Sequence, residues 1–258
     1  MNNFNLKNTA EELISVFLEA GKIAKEISKK GIKVSIKADK SPVTDGDLAV
    51  DSILTKKIRS LTPNIPIISE ETVNLNNINK EKNFWLIDPI DGTKDYINKK
   101  DEYTINAALI IDLNPALGII YAPAKDRLFY SYGKNCAFEI NKGKKLDLNC
   151  KKKNISEIIG LESSRSSSNE VLEIYKKYKV SRIISMSSSL KFCVLAAGEA
   201  DIYAAKARAW EWDIAAGHAI LEHAGGSITN HTEKKFPYGK KDYKNLPIIA
   251  KRSQDLER

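Results

Sequence analysis

Apolar residues recur along this chain with two distinct periods. Between Leu13 and Ile27 they repeat every three or four positions, and residues 47–60 show the same spacing. This period places apolar side chains on one face of a helix, so both stretches are predicted to be amphipathic helices. A short apolar run at residues 32–36, between them, predicts a strand.

The middle of the chain has shorter apolar runs that are bounded by turn residues. Runs of roughly four to eight aliphatic and β-branched residues are typical of strands. We predict strands at residues 67–68, 84–87, 104–111, 116–121 and 128–132. This part of the chain is therefore expected to be rich in β-structure.

Beyond a lysine-rich stretch at residues 142–154, the pattern alternates between strands and helices. We predict strands at residues 158–161, 182–184, 202–205 and 248–250, and helices at residues 169–178, 188–197 and 214–223. Such alternation indicates an α/β lobe. The expected fold class is therefore α/β (α+β), with an N-terminal α+β lobe of residues 1–141 and a C-terminal α/β lobe of residues 142–258. The lysine-rich stretch is interpreted as their connection.

The composition argues against membrane insertion and against a disulfide-stabilised secreted domain. Of the 258 residues, 42% are hydrophobic, and no apolar run approaches the length that crosses a bilayer. The polar N-terminus is not expected to be a signal peptide. Cys136, Cys150 and Cys193 are odd in number and widely spaced, which fits neither a disulfide framework nor a zinc pattern. A cytoplasmic location is expected, with peripheral association at the inner membrane left open.

The net charge of +8 favours anionic partners. The lysines are scattered, and the chain has neither a basic helix nor an aromatic platform of the kind that binds nucleic acid. A solvated, lysine-rich surface is the simpler interpretation, and no nucleic-acid partner is expected. A polyanion-binding role is the weaker alternative.

The segment Trp85-Leu-Ile-Asp88-Pro-Ile-Asp91-Gly-Thr93 carries the most specific chemistry. Two carboxylates follow an apolar run and are separated by a turn that proline stiffens. Mg²⁺ prefers oxygen ligands and is commonly shared between carboxylates and a substrate phosphate. Taken alone, the two aspartates are explained equally well as turn formers or helix caps.

Two further acidic positions change that balance. Glu70 follows the predicted strand at residues 67–68, and Asp213 precedes the predicted helix at residues 214–223. Asp213 alone is explained by the preference for acids in the first turn of a helix. Four carboxylates cannot converge in a buried site unless cations neutralise them. If they do converge, a divalent metal is the simplest explanation.

These segments resemble the inositol monophosphatase superfamily of Mg²⁺-dependent, Li⁺-sensitive phosphatases. The resemblance extends through Lys37-Ala-Asp-Lys-Ser-Pro-Val-Thr-Asp-Gly-Asp47 and Gly198-Glu-Ala-Asp201, and it spans roughly residues 10–250. Within the superfamily, the bacterial 3′(2′),5′-bisphosphate nucleotidase branch is most similar. That likeness rests on Lys37-Ala38-Asp39, Asp91-Gly-Thr-Lys-Asp-Tyr96, Glu102-Tyr-Thr-Ile-Asn-Ala-Ala-Leu109 and Ser187-Ser-Ser-Leu-Lys-Phe-Cys193.

The resemblance implies a layered αβαβα sandwich with the active site between the lobes. It implies that Glu70, Asp88 and the carbonyl of Ile90 hold a Mg²⁺ ion that activates water. Asp88, Asp91 and Asp213 would hold a second ion at the leaving oxygen, and Glu70 would contact a weaker third ion through waters. The first lobe thus supplies most metal ligands, and the second supplies Asp213.

The resemblance also assigns the proton-transfer and phosphate-binding residues. Thr93 and Asp47 match the pair that orients and deprotonates the attacking water, and Glu70 joins them as a catalytic residue. The backbone N–H groups of Gly92 and Thr93 would cradle the phosphate. Without the resemblance, Asp47 is explained equally well as a helix N-cap residue.

The substrate is expected to be a small phosphate ester with a second phosphate group. Inositol-specific members tend to carry a carboxylate shortly before the Trp-Asp pair, whereas this chain has Lys206, Ala207 and Arg208 there. Together with Lys191, these cations suit a second phosphate, although an exposed basic edge explains them as well. The residues expected to contact the substrate are Glu70, Ile90, Asp91, Gly92, Thr93, Lys191, Lys206, Arg208 and Asp213.

The favoured substrate is 3′-phosphoadenosine 5′-phosphate, which would yield AMP and phosphate. The alternative is an inositol or other sugar monophosphatase with the same metals, and a more remote one is a non-catalytic polyanion-binding protein. The sequence leaves open whether the protein is a monomer or a homodimer.

Overall fold

The computed structural model describes residues 5–75, 81–150, 157–163, 168–253 and 256. Within these residues it contains six helices, which are α1 (Leu6–Lys30), α2 (Asp45–Leu61), α3 (Thr93–Ile97), α4 (Asn169–Lys177), α5 (Leu190–Ala196) and α6 (Glu211–His223). The first nine strands are β1 (Val34–Ile36), β2 (Pro42–Thr44), β3 (Ile67–Ser69), β4 (Phe84–Asp91), β5 (Thr104–Ile111), β6 (Asn114–Ala122), β7 (Arg127–Ser131), β8 (Ala137–Asn141) and β9 (Lys144–Asp147). The last five are β10 (Ile159–Glu162), β11 (Arg182–Ser185), β12 (Ile202–Ala205), β13 (Ser227–Asn230) and β14 (Ile248–Lys251).

The strands form two large sheets and one small hairpin. A seven-stranded sheet has the order β3-β4-β5-β6-β7-β8-β9, in which β3 is parallel to β4 and every later pair is antiparallel. A five-stranded sheet has the order β11-β10-β12-β14-β13, with β10 parallel to both neighbours and β14 antiparallel to both of its own. The hairpin of β1 and β2 precedes α2.

Three hydrophobic clusters join five layers in the order helices, sheet, helices, sheet, helix. One cluster lies between α1, α2 and the seven-stranded sheet, and it includes Leu54 and Trp85. The next lies between the two sheets around α5 and α6, and it includes Leu86 and Ile220. The third lies beneath α4 and includes Tyr175. Consecutive residues of β4 thus face different clusters, as alternation along a strand requires. The predicted αβαβα sandwich is confirmed.

Local capping explains where the first helices begin. Asn5 accepts the N–H of Asn8 at 3.0 Å and starts α1, and Gly31 ends it at a φ of +112°. Thr44 caps α2, and Asp47 accepts the N–H of Thr44 at 2.8 Å. This capping box places Asp47 in the first turn of α2, with its side chain fixed.

Most predicted elements are confirmed, and the errors share a cause. The predicted link at residues 142–154 is wrong in part, because residues 144–147 form β9 and pair with β8. Residues 151–156 lie outside the described residues. The strands β2, β8 and β13 were not predicted either. They are short and carry polar or charged residues, so their pairing is set by neighbouring strands rather than by a clear apolar period.

The middle layer ties the two predicted lobes together. Helices α5 and α6 come from the second lobe, yet the cluster around them includes residues of the seven-stranded sheet. The division at residues 141/142 stays a prediction. No helix among the described residues combines the length and apolar character that spanning a bilayer requires.

Candidate metal centre

A β-bulge in β4 turns two carboxylates toward one side. Asp88 pairs with Asn106 and Asp91 pairs with Thr104, so three steps along β4 match two along β5. In a regular strand, residues three apart point to opposite faces, whereas the extra residue of a bulge reverses this. The predicted end of this strand at Ile87 is wrong, because β4 continues to Asp91. A bulge tolerates Pro89, which has no N–H to give to the sheet.

Two other elements bring Glu70 and Asp213 to this bulge. Glu70 follows β3, and its N–H donates to the carbonyl of Ile87 on the neighbouring β4 at 3.0 Å. Asp213 lies in the first turn of α6 and accepts the N–H of Trp210 at 2.9 Å. Carboxylate oxygens of Glu70, Asp88 and Asp213 all lie within 4.8 Å of one another. The convergence that the sequence analysis required therefore occurs for these three residues.

The electrostatics of the centre oppose three close negative charges. Burial raises the pKa of Asp88 well above its usual range, and the charges of Glu70, Asp91 and Asp213 raise it further. Burial likewise raises the pKa of Asp213. Both carboxyl groups therefore favour the protonated form unless a metal ion or another positive group neutralises their charge.

The donor set fits a hard divalent cation. Asp88 Oδ1 is buried and accepts no hydrogen bond from any residue that the structure describes. A buried acceptor without a hydrogen bond lowers the free energy of unfolding by about 1–3 kcal/mol. A bound cation would offset this cost at Asp88 Oδ1. Clustered carboxylate oxygens are the ligands that Mg²⁺ prefers. Glu70, Asp88 and Asp213 are the residues that would hold such an ion.

Asp91 lies at the edge of this cluster and is anchored by the second lobe. One of its carboxylate oxygens accepts the N–H of Ser189, at the start of α5. The Ser189 hydroxyl contacts both Thr104 and Asn106 at 2.8 Å, on the strand beside β4. The turn before α5 is thereby fixed to the β-bulge. This hydrogen-bond network is not predictable from local sequence patterns, because its members are far apart in the chain.

Thr93 lies between a carboxylate and a backbone carbonyl. Its hydroxyl oxygen is 3.1 Å from the carbonyl oxygen of Ile90 and 3.4 Å from Asp47 Oδ1. Burial raises the pKa of Asp47, against the opposing effect of its bonds with Thr44. Asp47 is thus both a member of the α2 capping box and a neighbour of Thr93. The interpretation of Asp47 as the N-cap residue is wrong, because Thr44 is the N-cap and Asp47 lies three positions later. The part of Asp47 in proton transfer stays a prediction.

Gly92 is required at the start of α3 for two reasons. Its φ of +92° lies in the left-handed region, where side chains are strained. A Cβ atom there would also lie 3.2 Å from the carbonyl oxygen of Glu102. Any side chain at this position would therefore crowd the turn that carries Thr93.

An ion pair that was not predicted lies beside the metal ligands. Lys37 Nζ is 3.0 Å from Glu70 Oε1 and 2.8 Å from Glu71 Oε1. Burial raises the pKa of Glu71 to about 7, and the Lys37 ammonium only partly opposes this. The pKa of Lys37 is raised because its two carboxylate partners outweigh its burial. The ammonium is therefore held charged, although it does not fully compensate for the burial of Glu71.

The predicted cations belong to the lining of the same cavity. A cavity of about 380 Å³ is lined by the metal-centre residues and by Lys191, Lys206 and Arg208. Lys191 is buried, its ammonium donates to the carbonyls of Met186 and Ser188, and burial lowers its pKa to about 8. Arg208 donates to the hydroxyl of Ser163. The cavity lining thus carries both acidic and basic side chains.

Comparison with known proteins gives a consistent family relationship. The model of the inositol monophosphatase family matches residues 5–257. The 3′(2′),5′-bisphosphate nucleotidase CysQ of Buchnera aphidicola subsp. Acyrthosiphon pisum (strain APS) is 41% identical over 213 residues, which cover 82% of this chain and 79% of that protein. The protein of the same name from Escherichia coli (strain K12) is 33% identical over 210 residues, which cover 81% and 84% respectively.

Solved structures share the fold over nearly the whole chain. CysQ from Bacteroides thetaiotaomicron, a bacterial member of the inositol monophosphatase family, has a TM-score of 0.80 at 27% identity and covers 97% of this chain and 98% of that one. Inositol monophosphatase from Anabaena (Nostoc) sp. PCC 7120 has a TM-score of 0.76 at 22% identity, with coverage of 98% and 94%, and shows likeness of fold alone.

Proposed function

This chain belongs to the inositol monophosphatase family, and from that premise we propose that it is a Mg²⁺-dependent 3′(2′),5′-bisphosphate nucleotidase. It would remove the 3′-phosphate of 3′-phosphoadenosine 5′-phosphate and leave AMP. The observation that carries the proposal is the convergence of carboxylate oxygens of Glu70, Asp88 and Asp213 within 4.8 Å, in a cavity that Lys191, Lys206 and Arg208 also line. The nucleotidases of the Buchnera and Escherichia relatives support the choice of substrate.

The protein's acidic residues would bind the cofactor, and its other groups would position the reactants. Glu70, Asp88, Asp213, Asp91 and the carbonyl of Ile90 are the proposed ligands of two to three Mg²⁺ ions. When bound, these ions supply charge neutralisation for the phosphoryl oxygens and raise the acidity of water. Such neutralisation and positioning account for most of the catalysis of phosphoryl transfer.

Proton removal from the attacking water falls to Thr93 and Asp47. The Thr93 hydroxyl can accept a hydrogen bond from water while it donates to Asp47 Oδ1, 3.4 Å away. As the water oxygen bonds to phosphorus and the bond from phosphorus to the ribose 3′-oxygen breaks, the water proton passes through Thr93 to Asp47. The departing ribose oxygen takes a proton from a solvent water and becomes the 3′-hydroxyl of AMP. Burial raises the pKa of Asp47, which makes it a better proton acceptor than an exposed aspartate. No covalent intermediate with the enzyme is involved.

The second phosphate would be bound by the basic side chains that line the cavity. Lys206 and Arg208 are the proposed direct contacts, because both line the cavity next to β12. Lys191 has its ammonium engaged with the Met186 and Ser188 carbonyls. It would therefore add positive charge beneath the second phosphate rather than a freely directed bond.

The proposal is tested by phosphate release from a substrate panel with Mg²⁺, in the presence and absence of millimolar Li⁺. We expect the highest kcat/KM for 3′-phosphoadenosine 5′-phosphate, lower values for 3′-AMP, inositol 1-phosphate and fructose 1,6-bisphosphate, and inhibition by Li⁺. A preference for inositol 1-phosphate would replace the proposal with an inositol or sugar monophosphatase. Release that is unaffected by EDTA would overturn the metal-dependent mechanism itself.

Two properties stay predictions beside this proposal. A cytoplasmic location is consistent with an intracellular nucleotide substrate, and the protein is expected to be a monomer or a homodimer. A non-catalytic polyanion-binding role is disfavoured by the presence of every expected acidic ligand together with Thr93.

A further inference from the structure

The segment between β12 and α6 forms part of the cavity lining. Lys206, Arg208, Ala209 and Trp210 all belong to this lining. Asp213 follows in the first turn of α6. Along the chain, Trp210 therefore lies between the two cations and the proposed metal ligand.

The position of Trp210 is fixed by tertiary contacts. Its ring stacks on the buried ring of Trp212, with centroids 5.0 Å apart and planes 8° from parallel. The backbone N–H of Trp210 donates to Asp213 Oδ2 at 2.9 Å, and its backbone carbonyl accepts a hydrogen bond from the side-chain amide of Asn245 at 2.6 Å. Asn245 is itself buried and donates its own N–H to the carbonyl of Ala209. The indole thus has a defined position relative to Asp213 before any ligand arrives.

The surroundings of the indole are apolar and open. Trp210 is partly exposed, and Leu246, which also lines the cavity, is 44% exposed. The exposed Lys244 places its ammonium 5.4 Å from the centroid of a Trp210 ring. A cation–π contact at an exposed site is worth about 0.5–1 kcal/mol, whereas a base stacked on an aromatic side chain gains about 1–3 kcal/mol. A planar base can therefore displace the ammonium.

We propose that Trp210, flanked by Leu246, forms the surface against which the substrate's nucleobase stacks. This inference rests on the proposed nucleotidase function and deepens it, because it identifies the group that distinguishes a nucleotide from a sugar phosphate. With one phosphate at the proposed metal ligands and the other at Lys206 and Arg208, the nucleoside would lie beside the indole. Discrimination then comes from an aromatic surface of fixed position as well as from charge.

The test compares two ligands that differ only by the base. Calorimetric titration with AMP and with ribose 5-phosphate is made on the wild type, Trp210→Leu and Trp210→Phe, in the presence of Mg²⁺. For Trp210→Leu we expect AMP binding to weaken by about 5- to 150-fold, as loss of one stacking contact predicts. Ribose 5-phosphate binding should change by less than about twofold, and Trp210→Phe should retain an intermediate affinity for AMP.

Two further measurements keep the test informative if Trp210→Leu does not fold. The protein has three tryptophans. Trp85 and Trp212 are buried, and Trp210 is the one of the three that lines the cavity. Quenching of tryptophan fluorescence by AMP should therefore be largely lost in Trp210→Phe. Lys244→Ala should bind AMP up to about fivefold more tightly, because the competing ammonium is removed.

Each contrary outcome has a distinct meaning. Equal weakening of AMP and ribose 5-phosphate binding would make Trp210 a support for Asp213 and overturn the inference. Unchanged AMP binding in every variant would overturn it as well. Failure of the proposed function appears elsewhere, as a preference of the wild type for inositol 1-phosphate in the substrate panel.

Discussion

The ammonium of Lys37 lies 3.0 Å from Glu70 Oε1, so one cation of the protein is already bound to the acidic centre. The same ammonium contacts Glu71, whose side chain is only 3% exposed. The hairpin of β1 and β2 is thereby attached to the residues that follow β3. A metal ion bound at Glu70 and the Lys37 ammonium would both interact with the same carboxylate. Metal binding and the Lys37 ion pair are therefore expected to be thermodynamically linked.

Lys37→Met should lower the melting temperature of the metal-free protein by a few degrees. It leaves Glu71 buried without its partner, at a cost of about 1–3 kcal/mol. Added Mg²⁺ should recover part of the loss, because a bound cation neutralises the neighbouring Glu70. Thermal unfolding in EDTA and in Mg²⁺ measures both effects. Lys57→Met is the control, since it breaks only an exposed pair with Glu12. An equal loss in EDTA and in Mg²⁺ would disprove the linkage.

Asp91→Asn should lower kcat and kcat/KM together by at least about 100-fold at saturating Mg²⁺. The amide keeps an oxygen that can accept the Ser189 N–H but removes the charge proposed to bind the leaving-group ion. Steady-state kinetics with 3′-phosphoadenosine 5′-phosphate provides the measurement. Asp126→Asn is the control, because Asp126 is exposed and the hydrogen bond that the structure describes for its side chain is with the Tyr121 hydroxyl. Near-normal turnover in Asp91→Asn would remove Asp91 from the mechanism.

Thr93→Val should reduce kcat by about 10²- to 10⁴-fold with little change in KM. Valine preserves the volume of the side chain but removes the hydroxyl that connects water to Asp47. Thr93→Ser keeps the hydroxyl and should retain most of the activity. The comparison is made at saturating substrate and Mg²⁺. Equal activity in the two variants would show that proton transfer does not pass through this hydroxyl.

Lys206→Met and Arg208→Met should lose activity selectively on a bisphosphate. A charged hydrogen bond to phosphate is worth about 1.5–3 kcal/mol, or roughly 10- to 150-fold in kcat/KM. The loss should be seen with 3′-phosphoadenosine 5′-phosphate and be small with 3′-AMP, which lacks the second phosphate. Lys191→Met should impair both substrates, because the Lys191 ammonium holds the turn that contacts Asp91.

Kinetics at low ionic strength gives the clearest comparison of these variants, since salt screens exposed charges. Lys235→Ala, on an exposed lysine outside the cavity lining, is the matched control. If Lys206→Met and Arg208→Met each lowered kcat/KM equally for the two substrates, neither residue would bind the second phosphate.

Stability should fall below about pH 6.5 through His223. Burial lowers the pKa of His223 to about 4, while the imidazole contacts the N–H of Gly133 and the hydroxyl of Ser131. Between the unfolded value of 6.5 and the folded value of about 4, the unfolded chain binds the proton and the folded chain does not. Acidification across this range therefore favours unfolding by up to about 1.4 kcal/mol per pH unit.

Urea unfolding at pH 7.5 and pH 5 measures this contribution, with His223→Gln as the variant. The variant should be less stable at pH 7.5 but show a smaller difference between the two pH values. His231→Gln is the control, because His231 pairs with the exposed Glu170 at the surface. An unchanged pH dependence in His223→Gln would show that other groups cause it.

Much of the molecule follows from the order of residues alone. The apolar period of α1 and α2 and the apolar runs of β5 and β6 determine those elements, because burial of apolar side chains dominates their free energy. The motif around Asp88 and Asp91 is local and carries its own turn residues, so the sequence alone suffices to propose both aspartates as metal ligands. The family resemblance, carried by long motifs in a fixed order, predicted the layered fold.

Only the tertiary structure decided how these pieces meet. The bulge that turns Asp88 and Asp91 to one side depends on pairing with β5, which no period in β4 reveals. The pairing of Lys37 with Glu70 joins residues 33 positions apart, and the Ser189 contact to Asp91 joins residues 98 apart. Such contacts form because packed layers bring their ends together, and sequence periodicity reports which face of an element is buried but not which polar groups become neighbours.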